Sequence, residues 1–146
     1  MQVEIKLDPT AGETKVIIVT DKMDTEVQAL MNRITQEQPQ VLAGFRGDSV
    51  ALLQPEEIIR IYAASGKVYA ATALGEYSLR LRLYELEERL DTGSFVRISN
   101  SEIVNLRKVK GFDLSFSGTI SVKLSDGTTT FVSRRYVSKI KNCLGL

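Results

Sequence analysis

The sequence predicts a mainly β, α+β protein of short antiparallel strands with one or two packing helices, preceded by a small β-β-α leader. Three observations predict it: short runs alternate apolar and polar residues, Ser-Gly and Asp-Gly pairs separate those runs, and one central stretch carries leucines at helical spacing. The chain's 146 residues, 43% of them apolar, suffice for one domain with a proper core and a small appendage. A second large domain is excluded.

In the leader, Val3, Ile5 and Leu7 alternate as a half-buried strand, Pro9 to Thr14 turn, and Lys15 to Val19 form a second strand candidate rich in β-branched residues. Asp24 can cap a helix with Val27, Leu30, Met31 and Ile34 on one face, and Pro39 bounds its far end. Residues 1–43 therefore form an expected β-β-α leader, too short to hold a core alone, and residues 44–146 the main domain.

The main domain opens near Gly44, continues through Val50 to Leu53 and Ile58 to Ala63, and reverses at Ser65-Gly66 into Val68 to Leu74. Leu79, Leu83, Leu86 and Leu90 then predict the main packing helix, with Gly93 placed to stop it. Further on, Phe112, Leu114 and Phe116 alternate, Ser117-Gly118 turns the chain, Ile120, Val122 and Leu124 alternate back, and Asp126-Gly127 turns it again. That is a three-stranded meander ending at Thr130 to Val132. Ser133 then caps a final helix with Val137, Ile140 and Leu144 on one face and Arg134, Arg135, Lys139 and Lys141 on the other.

Charge is unevenly distributed. Residues 91–146 carry nine Lys or Arg against four Asp or Glu, whereas residues 1–90 carry ten against fourteen. Such blocked asymmetry points to an anionic partner, nucleic acid first among them. Catalysis is disfavoured: the chain has no histidine to shuttle protons, and its glycines fit turns or helix stops, not phosphate loops. Cys143 is the only cysteine, so an internal disulfide and a Cys/His metal cluster are both excluded, and no cofactor is expected. With no signal peptide and no long apolar run, the chain reads as soluble and cytoplasmic, without direct membrane insertion.

Two separated motifs sharpen this reading. Phe95, Arg97, Ile98, Ser101, Ile103, Val104 and Asn105 form an F-x-R-h-x-x-S-x-h-V-N box, and Val132, Ser133, Arg134 and Tyr136 form a V-S-R-x-Y element. Both resemble the LytTR DNA-binding domain of bacterial transcription regulators, over roughly the last 100 residues of the chain. The resemblance implies an elongated arrangement of short antiparallel sheets whose loops, not a recognition helix, enter successive DNA grooves. Asn100 occupies the matching loop position and has the paired donor and acceptor that adenine requires; a plain Asn/Ser turn at Ser99 to Ser101 is the structural alternative. Arg134 and Arg135 can fork to guanine or clamp a phosphate, and Lys139 and Lys108 are phosphate candidates. The turn at Lys67 to Tyr69 matches the family's other DNA-facing loop, with Lys67 as cation and Tyr69 as a sugar or phosphate donor.

Arg97 has two candidate jobs, reaching a phosphate or bracing neighbouring carboxylates. Asn105 is expected to satisfy backbone groups at the strand end. Many relatives place histidine in the box loop and first turn; Ser99 and Val68 stand there instead. Only about 40 residues precede the domain, too few for a receiver, so the chain resembles the stand-alone LytTR regulators. That resemblance implies double-stranded DNA with tandem half-sites, a homodimer, and control by a separate membrane-embedded inhibitor protein. A protein-binding adaptor that keeps the fold without DNA affinity is the alternative.

Overall fold

A computed structural model describes residues 1–35, 41–116 and 118–146. The chain falls into two compact units, Met1–Gln38 and Pro39–Leu146. Among the described residues of the first, one element forms, the helix α1 (Thr25–Thr35), and Asp24 caps it as expected by accepting the Val27 amide at 2.9 Å. The expected leader strands do not form: neither Val3 to Leu7 nor Lys15 to Val19 is paired. The turn between them does exist, with Thr10 donating to the Asp8 carboxylate and Ala11 N donating to the Asp8 carbonyl at 3.0 Å. The physical reason is that an isolated two-stranded hairpin is at best marginally stable in water.

Among its described residues the second unit holds ten strands, β1 (Leu42–Arg46), β2 (Ser49–Leu53), β3 (Ile58–Ala64), β4 (Lys67–Thr72), β5 (Gly75–Leu79), β6 (Phe95–Ser99), β7 (Glu102–Asn105), β8 (Val109–Phe116), β9 (Thr119–Leu124) and β10 (Thr129–Val132). Helices α2 (Leu83–Arg89) and α3 (Val137–Leu144) complete it. Seven strands form one sheet in the order β2-β1-β5-β4-β3-β7-β6, and the other three form the expected meander, β10-β9-β8. The mainly β, antiparallel fold class is thus observed. Ser117 of the expected turn and Pro39 lie outside the described residues.

Two corrections concern the middle of the chain. Leu79 belongs to the extra strand β5, and the helix begins only at Leu83. Leucines four apart fit a helix, but here the spacing runs across a strand end, and the turn into β5 is made by Gly75 at φ 115. The helix also stops before Gly93: Asp91 ends it by accepting Gly93 N at 3.0 Å and Phe95 N at 2.9 Å, through side chain and carbonyl respectively. At the C-terminus, Ser133 precedes a 3-10 turn (Arg134–Tyr136) without capping through its side chain, and α3 starts after it.

The strands of the box are buried on both faces. Phe95 and Ile103, with Ile58 and Ile61, pack under Leu83 and Leu86 of α2 and Leu90 just after it. Val96, Ile98, Val104 and Ile59 point the other way, into a second core with Ile120, Val122, Leu124, Val132 and Ile140. A register shift between Ile58 and Arg60 lets Ile58 and Ile61 share one face although three residues apart. β6 and β7 are therefore clamped between α2 and the small sheet with α3, a rigid base for the turn that joins them.

Candidate nucleic-acid interface

Strand pairing decides which side chains meet. β3 and β7 run antiparallel with Tyr62 opposite Glu102, so the turns Ser65-Gly66 and Asn100-Ser101 lie side by side at one end of the large sheet. Ala63 N extends that ladder by donating to the Ser101 carbonyl at 2.8 Å. Ser65 and Gly66 take φ values of 51° and 76°, the left-handed pair that a two-residue hairpin needs. Ser133 N donates to the Ile98 carbonyl at 2.9 Å, which seats the Arg134–Tyr136 turn beside the end of β6. Two turns and one basic 3-10 segment thus share one end of the unit.

Asn100 is exposed there, and the Tyr136 hydroxyl donates to its Oδ1 at 3.2 Å. The Asn100 amide nitrogen has no partner among the described residues. Ser99 Oγ accepts Ser101 N at 3.2 Å and closes the turn. Arg97 does the bracing job: its Nη1 donates to Glu87 at 2.8 Å, its Nε to the Ser99 carbonyl at 2.8 Å and its Nη2 to the Asn100 carbonyl at 2.6 Å. A mostly buried guanidinium with every nitrogen engaged holds the loop's shape.

Arg134, Arg135 and Lys67 are exposed and have no carboxylate partner among the described residues. Lys139 lies near the same end, but its Nζ is 3.6 Å from Glu87, which it shares with Arg97. Tyr69 is half-buried in β4 and stacks on Tyr62 with ring centroids 5.4 Å apart. Tyr62 in turn donates to Glu76 at 2.6 Å; burial and then that carboxylate push its hydroxyl up to about 12. Lys108 is not brought to this end. It follows the far end of β7 in the 3-10 turn Leu106–Lys108, where its carbonyl accepts Ser125 N at 2.8 Å.

Asn105 is fully buried and does what the sequence suggested: Nδ2 donates to the Ile58 carbonyl at 2.8 Å and Oδ1 accepts Arg107 N at 3.1 Å. Three supporting residues escaped sequence reasoning. Glu87, which belongs to neither motif, anchors Arg97. Tyr136, visible only as a motif letter, orients Asn100. Buried Glu102 accepts from Arg60 at 3.0 Å and from Thr130 Oγ1 at 2.6 Å, tying the two sheets together directly behind the turn.

A family model, the LytTr DNA-binding domain, matches residues 48–145. The chain belongs to the LytTR family. Its full length aligns at 31% identity with 99% of an uncharacterised HTH-type transcriptional regulator of Staphylococcus aureus strain NCTC 8325, and at 30% with the counterpart of strain MRSA252. Among solved structures, the LytTr DNA-binding domain of a Bacillus cereus protein described as a methyl-accepting/DNA response regulator superposes with a TM-score of 0.70. It is 24% identical, over 73% of this chain and 97% of that one. As a LytTR chain, this one carries a DNA-binding domain. A helix-turn-helix pair is not what it presents, because among the described residues five strands separate α2 from α3. No helix among them is long and apolar enough to cross a membrane.

Proposed function

We propose that the chain is a sequence-specific transcription regulator that inserts its two sheet turns and the start of its C-terminal helical segment into successive grooves of duplex DNA. The observation that carries this is the gathering of Asn100, the Ser65-Gly66 turn with Lys67, and exposed Arg134 and Arg135 at one end of a rigid sheet. In this reading Asn100 reads a base edge, supported by Ser99 in the turn, and Arg134 and Arg135 fork to guanine or phosphate. Lys67, Tyr69 and Lys139 contact the backbone, Lys108 reaches a phosphate farther along, and Arg97 acts through the loop it braces. Two copies bind tandem half-sites as a homodimer, and a membrane-embedded inhibitor protein is the proposed source of control.

The test is the salt dependence of duplex binding. Affinity should fall with a log-log slope of about −0.9 per neutralised phosphate, and replacing Arg134 and Arg135 by Ala should flatten it by about 2 such contacts. Asn100→Ala should relax discrimination between sites by about 1–3 kcal/mol and leave nonspecific binding intact. Absent or salt-independent duplex binding would favour a protein-binding adaptor.

A further inference from the structure

Large apolar side chains stand exposed throughout the leader. Val3, Ile5 and Leu7 are 84, 86 and 89% exposed, and Val16, Ile17 and Val19 are exposed as well. Both segments have strand sequences, both are unpaired in a single chain, and the Asp8 to Ala11 turn that would join them into a hairpin is already made. What they lack is a third strand, the usual minimum for a sheet that stands alone.

The charge pattern identifies where it comes from. The segment Val3 to Leu7 reads V-E-I-K-L. Laid antiparallel on a second copy with Ile5 opposite Ile5, it sets Glu4 against the second copy's Lys6, Lys6 against its Glu4, and Val3 against its Leu7. Opposite charges then face each other on one side of the ribbon and apolar residues on the other, so the segment is complementary to itself under a two-fold axis. We infer that this chain dimerises through its leader, with Val3 to Leu7 pairing on the same segment of a second copy about Ile5. The outer flanks are filled by each copy's Lys15 to Val19, giving four strands, and the apolar side of α1, with Val27, Leu30 and Ile34, is suited to cover the apolar face. An isolated hairpin is marginal; four strands with a covered face are not.

The inference is independent of DNA binding, and its test uses the full chain without DNA. Sedimentation equilibrium at micromolar concentration should give a dimer. Glu4→Lys sets lysines opposite lysines in both symmetric pairs, and Lys6→Glu sets glutamates opposite glutamates; each should raise the dimer Kd by about tenfold or more. The double variant restores both pairs with reversed sign and should return the dimer to wild-type affinity, and an equimolar mixture of the two single variants should form heterodimers in preference to either homodimer. Ile5→Lys should give monomer. Because these side chains are exposed, duplex binding to a single half-site should persist in every variant, which shows that the sheet unit is intact, and recovery of the dimer in the double variant and in the mixture separates a charge clash from an unfolded leader. A monomeric wild type, or a dimer unmoved by the single reversals, overturns the inference.

Discussion

Asn100 can read a base only if its amide is held in one orientation, and the hydroxyl of Tyr136 is what holds it, from a residue 36 positions along the chain. The bond leaves one lone pair on Oδ1 and both protons on Nδ2 available, enough for a bidentate contact with an adenine edge. Tyr136→Phe removes the bond without altering volume. Affinity for a cognate duplex should drop by roughly fivefold to tenfold, as expected for one hydrogen bond, while the salt slope stays unchanged, because no phosphate contact is lost. Anisotropy titrations at two salt concentrations separate the effects; a change in slope with no loss of discrimination would place Tyr136 on the backbone instead. Arg97 shows the same division of labour, since its guanidinium shapes the loop from behind.

Between elements, the hairpin of β3 and β4 presents Lys67 and depends on the aromatic pair beside it, Tyr62 and Tyr69. Tyr62 keeps its proton more tightly in the folded chain, its hydroxyl rising from 10.0 to about 12 through burial and the Glu76 acceptor, with the Arg60 guanidinium 4.3 Å over its ring opposing. A raised folded value means the stabilisation is complete below about pH 10 and is lost as pH climbs through about 12, since the unfolded chain gives up the proton first. Tyr62→Phe should cost about 1 kcal/mol at neutral pH and should abolish this part of the alkaline loss, measurable by denaturant unfolding at neutral and alkaline pH. The hairpin itself was legible because Ser65-Gly66 is a local signal. β5 was not, because four-residue leucine spacing fits both a helix and the gap between a strand end and a helix. The Arg60 to Glu102 ion pair spans 42 residues and leaves no trace in sequence at all. The box strands are buried on both faces, and near-continuous apolar residues with single polar interruptions are what such strands require.

At the scale of the molecule, the chain holds two compact units that are separate in sequence. The sheet unit builds both its cores from its own residues, Leu42 to Ile140, so it should fold without the leader. The leader strands were misjudged for the complementary reason: the alternation in Val3 to Leu7 is a genuine strand signal, but the leader alone supplies only a two-stranded hairpin, which is marginal without further strands. A fragment of residues 41–146 should therefore unfold at the same denaturant midpoint as the sheet unit of the full chain, and should bind a single half-site with unchanged affinity. On tandem half-sites it should lose roughly a hundredfold or more, because the second binding event is no longer intramolecular. Equal affinities of fragment and full chain for the tandem site would mean that the copies are joined through the sheet unit or through the DNA alone; a fragment that fails to fold would mean that the leader completes the core.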